Sequence, residues 1–191
     1  MTADPTQPGS LRIVHYPQGV LRRKAAPVET VDGTVRAVAN RMIELMHEAP
    51  GIGLAAPQVG LGWRMFVCHV PPYEDDGPED RTDPPSSHPE PMVCINPVLS
   101  DFSRDLEPYE EGCLSLPEIL GHVRRPSVCT LDALDIEGNP FRMRAQGLLA
   151  RCWQHEFDHL EGVLIIDRMD PAGKMKNKRA VRELETGAGL A

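Results

Sequence analysis

Two histidines spaced four residues apart constrain the fold of this chain more than any other feature. They open and close the pentad His155-Glu156-Phe157-Asp158-His159. In an α-helix, residues i and i+4 lie on one face, so both imidazole rings can bind one metal ion. Glu156, beside the first ring, is placed to transfer protons to or from a metal-bound water. The pentad therefore predicts a helix that carries metal ligands into the fold.

This helix is predicted from about 147 to 161, with Gly162 placed to end it. One stripe of the helix is predicted to bind the metal and also to form its buried face. The members of that stripe at helical spacing are Leu148, Cys152, His155 and His159.

The remaining pattern predicts a second helix at 33–48, capped by Asp32. Strands are predicted near 63–70, 92–99, 127–136 and 141–145, and residues 11–16 are a short strand or a lead-in segment. The first two strands are expected to be neighbours, and the last two form a hairpin. Strands between helices near both ends predict an α+β fold.

Length and composition indicate one domain over residues 1–191. The chain is long enough for one hydrophobic core, and 41% hydrophobic with 25% charged residues is typical of a globular protein. No apolar run is long enough to span a membrane, and the polar extension 1–10 does not have the pattern of a secretion signal. The five cysteines form no C-x-x-C pair, which indicates reduced thiols. We therefore expect a cytoplasmic protein.

Charge is concentrated in two segments. An insertion at about 71–91 holds seven prolines and seven acidic residues against one arginine, and so carries most of the net charge of −8. It is predicted to be a surface loop, either a solvated insertion or a lid or partner-binding segment. The tail at about 171–191 carries five basic residues on a predicted helix: Lys174, Lys176, Lys178, Arg179 and Arg182.

A catalytic metal site usually has three protein ligands, so a third ligand is needed. No histidine follows His159, and Glu183 and Glu185 lie in the charged tail. Upstream, Cys113 follows a glycine and leads toward a turn predicted to end at Pro117. A thiolate beside two imidazoles would leave one coordination position for water. The alternative for Cys113 alone is a small buried thiol.

A third segment, Gly51-Ile52-Gly53-Leu54-Ala55-Ala56-Pro57-Gln58, is rich in small residues. Small residues let another backbone approach closely, and the Gln58 amide offers an uncharged hydrogen-bond donor. Taken alone, Gln58 could equally be a polar turn residue.

Together, the three segments resemble the peptide deformylase family. The family's glycine-alanine-glutamine run, its E-G-C-x-S motif and its H-E-x-D-H motif occur here in that order. The matching positions are Gly51, Gly53, Ala55, Ala56 and Gln58; Glu111, Gly112, Cys113 and Ser115; and His155, Glu156, Asp158 and His159. His15-Tyr16-Pro17 also resembles the family's N-terminus. The resemblance covers about residues 11–170.

The resemblance implies a single catalytic domain with mixed or antiparallel sheets packed around a central helix bearing H-E-x-x-H, and a C-terminal helix. The implied activity is metal-dependent removal of the formyl group from the N-terminal formylmethionine of nascent polypeptides. Cys113, His155 and His159 would hold one ion per chain. Ferrous iron is the family's usual metal, and Zn²⁺, Ni²⁺ or Co²⁺ would also fit the ligands.

The resemblance also implies catalytic roles for three further residues. Glu156 would take a proton from the attacking water and return it to the leaving amine. The Gln58 amide and the backbone N–H of Leu114 would stabilise the negative charge that develops on the formyl oxygen.

Substrate contacts are predicted on both sides of the ion. The peptide backbone would pair as an added strand against Gly51–Gly53 and Gly112. Ile52, Leu148 and Cys152 would line the pocket for the methionine side chain, or would be plain core residues. Arg125 is predicted either to support the metal helix by pairing with Asp158 or to form an exposed ion pair of little energetic value.

Nascent formylmethionyl peptides are the expected partners, in a bacterial-type cytoplasm, without membrane or DNA binding. The basic tail helix is predicted either to contact the ribosome or to present a solvated face. Two rival functions stay open: a metalloprotease that uses a tail glutamate as third ligand, and a non-catalytic metal-binding module. An intact Glu156 and Gln58 argue against the second rival, because a structural metal site needs neither.

Overall fold

The computed structural model of the protein describes residues 3–72 and 82–187. Its α-helices are α1 (Gly33–Glu48), α2 (Gly147–Leu160), α3 (Ile165–Arg168) and α4 (Pro171–Thr186). Its strands are β1 (Gly53–Ala55), β2 (Met65–Cys68), β3 (Met92–Ser100), β4 (Leu106–Cys113), β5 (Leu116–Pro126), β6 (Val128–Leu134) and β7 (Pro140–Gln146). Short 3₁₀ helices occur at Pro8–Ser10, Gly19–Arg22 and Ala56–Val59. The predicted α+β class is confirmed.

Five strands form one antiparallel sheet in the order β1-β2-β3-β6-β7, and β4 pairs with β5 in a separate two-stranded sheet. The predicted neighbours β2 and β3 and the predicted hairpin of β6 with β7 are both present. β1 lies at an edge of the five-stranded sheet, so one side of its backbone is free of a neighbouring strand in that sheet.

Helices cover both faces of the large sheet. In β2, Met65 and Val67 belong to the core cluster of α1, whereas Phe66 and Cys68 belong to the cluster of α2. Alternate residues of a strand point to opposite faces, so all four side chains are buried and the strand is apolar throughout. A third cluster joins β5 to α3 and α4.

The α1 helix has the bounds that its sequence predicts. Asp32 caps it, accepting a hydrogen bond from the Val35 backbone N–H at 2.9 Å. Its buried residues are Val35, Val38, Ala39, Met42, Leu45 and Met46, which repeat at helical spacing.

The α2 helix also forms where predicted, and its predicted stripe is divided between the core and the β4–β5 hairpin. Cys152 is buried in the core cluster of the large sheet, and Leu148 packs against that cluster, as do the buried Leu149, Ala150 and Trp153 of the neighbouring helix faces. His155 and His159, the other two members of the stripe, lie toward the β4–β5 hairpin. The helix is therefore buried around most of its circumference, and its polar face lies between two sheets.

Of the two alternatives for residues 11–16, the structure has the lead-in segment. Residues 11–16 form no strand; they are a lead-in segment whose backbone bonds to Gln58 and Ser115 through Val14 N–H (2.8 Å) and Tyr16 N–H (2.9 Å). Part of the predicted insertion, 73–81, lies outside the described residues.

The later part of the insertion has no regular structure but docks on the start of α2. The Pro85 and Ser86 carbonyls accept bonds from the backbone N–H groups of Gln146 (2.9 Å) and Leu149 (3.1 Å). This part is therefore more than a solvated loop.

Within the described ranges, each helix is too short or too polar to serve as a membrane span.

Gly162 follows the C-cap of α2 and has a backbone conformation that favours glycine. Its φ is +74°, and a Cβ there would lie 2.8 Å from the carbonyl carbon and oxygen of Arg22. Gly187, which ends α4, has φ +71°, but a Cβ there would meet no described atom within 4 Å. Gly187→Ala should cost only the left-handed penalty, roughly 1–2 kcal/mol. Gly162→Ala should cost more, because it adds a clash with backbone; equal losses in urea unfolding of the two variants would contradict this.

Candidate active site

Three potential metal ligands converge where the β4–β5 hairpin meets α2. Cys113 Sγ lies 3.3 Å from His159 Nε2, and the rings of His155 and His159 have their centroids 5.1 Å apart. One ligand atom from each of the three residues can be chosen so that all lie within 4.8 Å of one another. The hairpin therefore brings the thiol to the two imidazoles, which the sequence alone could not establish.

The local structure around Cys113 differs from the prediction in one respect. Cys113 is the last residue of β4, and Pro117 lies inside β5 rather than at the end of the turn. Leu114 and Ser115 form a two-residue turn between paired residues Cys113 and Leu116. The thiol is thus held by a strand end in a tight hairpin, which fixes its position more firmly than a loop would.

The two rings differ in their surroundings. His155 Nδ1 is 3.0 Å from Glu111 Oε2, which leaves Nε2 available for an ion. Burial disfavours charge on His155, but hydrogen bonds with Cys113 and Glu111 outweigh it and hold its pKa well above the ordinary value. For His159, burial and the neighbouring charges of His155 and Arg125 lower the pKa well below the ordinary value. His159 is therefore a neutral imidazole, the form that ligates metals.

Glu111 lies at the centre of a buried ionic network. Its carboxylate accepts bonds from Arg125 Nε (2.7 Å), Arg125 Nη2 (2.9 Å) and Arg151 Nη1 (2.8 Å), besides its contact with His155. Burial disfavours the charged carboxylate, but the bonds with His155 and Arg125 hold the pKa of Glu111 well below its usual range. Glu111 is therefore ionised at neutral pH, next to the helix that carries His155.

Asp158 extends this network to α3. It accepts a bond from Arg125 Nη1 at 2.8 Å and another from Arg168 Nη2 at 2.6 Å. The side chains of Arg125 and Asp158 are only 5% and 9% exposed, so the alternative of an exposed pair does not apply. Arg125 therefore connects Glu111 on β4 with Asp158 on α2.

Glu156 is buried beside the ligands and across from β1. Burial is the main cause that raises its pKa to about 7. Its Oε2 atom has no hydrogen-bond partner among the described residues. A side chain at Gly53 would collide with Glu156 and would come within 2.9 Å of Cys152 Sγ, so the glycine provides the space in which this carboxylate lies.

Gln58 is held in a fixed orientation next to the thiol. Its Oε1 accepts the Ala55 backbone N–H at 2.7 Å, and its Nε2 is 3.6 Å from Cys113 Sγ. Because the backbone N–H can only donate, the NH₂ group must point toward the sulfur. Leu114 follows the thiol in the hairpin turn and lines the same cavity.

A cavity of about 640 Å³ opens over these groups. All five residues predicted to contact substrate line it: Ile52, Gly53, Gly112, Leu148 and Cys152. One wall is formed by the segment leading into edge strand β1, and the opposite wall by β4 and β5. Pairs of facing strand edges with an apolar interior are suited to an extended peptide.

Several lining residues were missed by sequence reasoning. They are Tyr109, Leu116, Ile119, Leu120 and Arg151. The predicted role of Glu111 was limited to its place in the E-G-C-x-S motif, although it contacts two arginines and a histidine. One signal was available: Arg151 lies four residues before His155, on the same helical face.

The tail glutamates lie elsewhere and have other partners. Glu185 accepts a hydrogen bond from Tyr16 Oη at 2.8 Å, and Glu183 pairs with Arg179 at 2.7 Å. Neither belongs to the metal-ligand group formed by Cys113 with the two histidines. This arrangement disfavours the metalloprotease alternative, which needs a tail glutamate as third ligand.

Comparisons with known proteins agree with this geometry. The family model described as "Polypeptide deformylase" matches residues 10–175. A peptide deformylase of Chromohalobacter salexigens is 43% identical over 175 residues, which are 92% of this chain and 93% of that protein. A peptide deformylase of Rhizobium meliloti is 40% identical over 176 residues, 92% of each chain. The crystal structure of peptide deformylase from Ehrlichia chaffeensis superposes with a TM-score of 0.83 at 35% identity, covering 93% of this chain and 96% of that one. The chain belongs to the peptide deformylase family.

Proposed function

We propose that the protein hydrolyses the formyl group from the N-terminal formylmethionine of nascent polypeptides and releases formate. The observation that carries the proposal is the convergence of Cys113, His155 and His159 beside the buried carboxylate of Glu156. A structural metal site needs no unpaired acid beside it, whereas hydrolysis needs a group that can accept a proton. Family membership names the reaction, and the cavity supplies room for a peptide.

The donor set fits one divalent ion. A thiolate and two imidazoles suit Fe²⁺, Zn²⁺, Ni²⁺ or Co²⁺, and three protein ligands leave one position for water. Ferrous iron is the ion that the family resemblance implies. When bound, such an ion acts as a Lewis acid and lowers the pKa of water. The Glu111 carboxylate fixes the ring of His155 so that Nε2 faces the site.

Glu156 is the proposed proton carrier. Its pKa of about 7 lets it accept a proton from the attacking water and later return that proton to the departing amine at neutral pH. Glu156 lies across from Gly53, so its carboxylate would be next to a peptide backbone bound along β1 as proposed below. The same residue therefore serves as base and as acid.

Gln58 and Leu114 are the proposed donors to the developing oxyanion. The Gln58 NH₂ group is held toward Cys113 by the bond that its Oε1 accepts from Ala55. Because this donor is oriented before substrate arrives, it costs no reorganisation during the reaction. The Leu114 N–H is supplied by the hairpin turn next to the thiol.

The substrate is proposed to lie as an added strand between β1 and β4. Both strands have an edge without a neighbour within their own sheet among the described residues. The methionine side chain enters the apolar part of the cavity, where Leu148, Ile119 and Leu120 join Ile52 and Cys152. Backbone pairing orients the peptide, and the pocket selects the first side chain.

Ribosome contact and cytoplasmic location stay predictions. The basic side chains of α4 (Lys174, Lys176, Lys178, Arg179 and Arg182) are exposed. Exposure is equally expected of a solvated helix face. The other side of α4 packs through Leu184 and Asn177, so removal of the helix would disturb the fold as well as any RNA contact.

The first test replaces Glu156. Glu156→Ala should lower formate release from a formyl-Met peptide by about 10²–10⁴-fold, because the proton transfer is lost. Metal content should stay at one ion per chain, since the three ligands remain. Glu137→Ala, an exposed glutamate in the β6–β7 hairpin, is the control and should keep full activity.

Two outcomes of that experiment would contradict the proposal in different ways. Full activity in metal-loaded Glu156→Ala would remove Glu156 from the reaction. No formate release by the folded, metal-loaded parent protein would overturn the proposed function itself.

A second test removes the amide donor of Gln58. Gln58→Glu keeps an oxygen to accept the Ala55 N–H but replaces the NH₂ group that faces the thiol. We expect kcat to fall by about 10²–10³-fold, with a smaller change in KM. Gln154→Ala, which removes another buried glutamine bonded to the Pro126 carbonyl, is the control. Equal loss of kcat in both variants would indicate a general structural effect.

A third test removes the negative charge of Glu111. Glu111→Gln should destabilise the protein by about 3–5 kcal/mol in urea unfolding, because Arg125 and Arg151 lose their buried partner. Metal affinity should fall about 10–100-fold as His155 loses its orienting carboxylate. Asp101→Asn breaks an exposed pair with Arg142 and should change stability by at most about 1 kcal/mol.

The pH dependence of stability checks the same group. The folded state depresses the pKa of Glu111, so its stabilising contribution is present above the unfolded value of about 4.3 and is lost as pH falls. Stability of the metal-free parent should therefore decrease below about pH 4 more steeply than that of Glu111→Gln. Parallel curves would contradict the assigned role.

A further inference from the structure

A second pair of histidines lies on the surface behind the cavity. His47, in the last turn of α1, and His69, just after β2, approach through Nε2 and Nδ1 at 3.0 Å. Their ring centroids are 5.1 Å apart with an interplanar angle of 65°, the same values as for His155 and His159. Two nitrogens bound to one tetrahedral ion at about 2.0–2.1 Å are about 3.3 Å apart. The gap therefore needs only a small ring adjustment to admit an ion.

The protonation of His69 favours ligation. Its Nε2 lies 3.2 Å from the Pro89 carbonyl oxygen, which can only accept a hydrogen bond. Nε2 therefore carries the proton, and Nδ1 presents a lone pair toward His47. Histidines that bind metals commonly donate their other ring N–H to a backbone carbonyl in this way. With a proton on Nε2, His47 donates a hydrogen bond to His69 Nδ1. Without that proton, the two nitrogens can both bind one metal ion.

The electrostatic surroundings favour a cation. His47 lies at the C-terminal end of α1, where the helix dipole attracts positive charge. Arg41, a cation on the same helix, is already paired with Glu44 and Glu48. Both histidines are accessible from solvent, so water can complete the coordination.

We propose that His47 and His69 form a second binding site for a divalent transition-metal ion such as Zn²⁺ or Ni²⁺. Imidazole nitrogens suit these ions. The ion would connect α1 to the residue after β2. The backbone N–H of His69 donates a hydrogen bond to the Ile52 carbonyl at 2.8 Å. The site therefore supports the outer side of the segment that lines the cavity. This proposal does not depend on the proposed function.

The test counts bound ions. Protein whose Cys113 site already holds one Zn²⁺ is titrated with Zn²⁺ by calorimetry, and bound metal is measured after gel filtration. The parent should bind one further equivalent. His47→Ala and His69→Ala should each lose that equivalent and keep the first. His122→Ala, which removes a histidine on β5, should bind as the parent does.

Thermal unfolding gives a second readout. Excess Zn²⁺ should raise the Tm of the Zn-loaded parent and of His122→Ala, but not of the two pair variants, because only a folded site binds. If an alanine variant fails to fold, His47→Gln and His69→Gln replace it. A parent that binds a single equivalent, or pair variants that keep the second, would show that the histidines form only a hydrogen bond.

Discussion

The arrangement of the whole site depends on one buried carboxylate. Glu111 is the last β4 residue before the irregularity in its pairing with β5. It accepts bonds from Arg125 on β5, Arg151 on α2 and His155 on α2. These contacts join the two-stranded sheet to the helix that carries two of the three proposed metal ligands. The third proposed ligand, Cys113, lies two residues beyond Glu111 on the same strand. A shift of this carboxylate would therefore move the thiol relative to both imidazoles.

Joining two elements through a buried ionic network carries a large desolvation free energy. Several charges lose their water, and an apolar contact of the same volume would often be equally stable or more stable. The ionic network does what apolar packing cannot: its bonds are directional. Glu111 orients the ring of His155, and Arg125 donates hydrogen bonds to both Glu111 and Asp158. We infer that the network is retained for position rather than for net stability.

The elements that the sequence predicted have either a periodic apolar face, as in α1, or a continuous apolar run, as in β2. The apolar residues of α1 recur with the helical period of 3.6 residues, and an aspartate caps the helix, so its bounds were predicted correctly. The β4–β5 hairpin was missed for a physical reason: β4 is exposed along most of its length and shows no apolar alternation. In β5 the inward positions do alternate, but Gly121 and Arg125 occupy two of them. These two residues interrupt the apolar alternation that would have predicted the strand.

The sequence pattern likewise predicted only part of the proposed set of metal ligands. The spacing of His155 and His159 follows from the helix, whereas Cys113 comes from another element through long-range packing that no local pattern encodes. Family motifs supplied that link, and the geometry then explained it. The role of Glu111 needed the three-dimensional structure, because its partners are 14, 40 and 44 residues away.

The two histidine pairs show that ring geometry alone does not make a reactive site. His47 and His69 have the same centroid distance and angle as His155 and His159. The surface pair is backed by a backbone carbonyl and solvent, with only two nitrogens to offer an ion. The buried pair has a thiol, a fixed carboxylate behind one ring and an acid of raised pKa beside it. Chemical capacity in this fold therefore resides in the surroundings that β4, β5 and the Gly51–Gly53 segment bring to the helix.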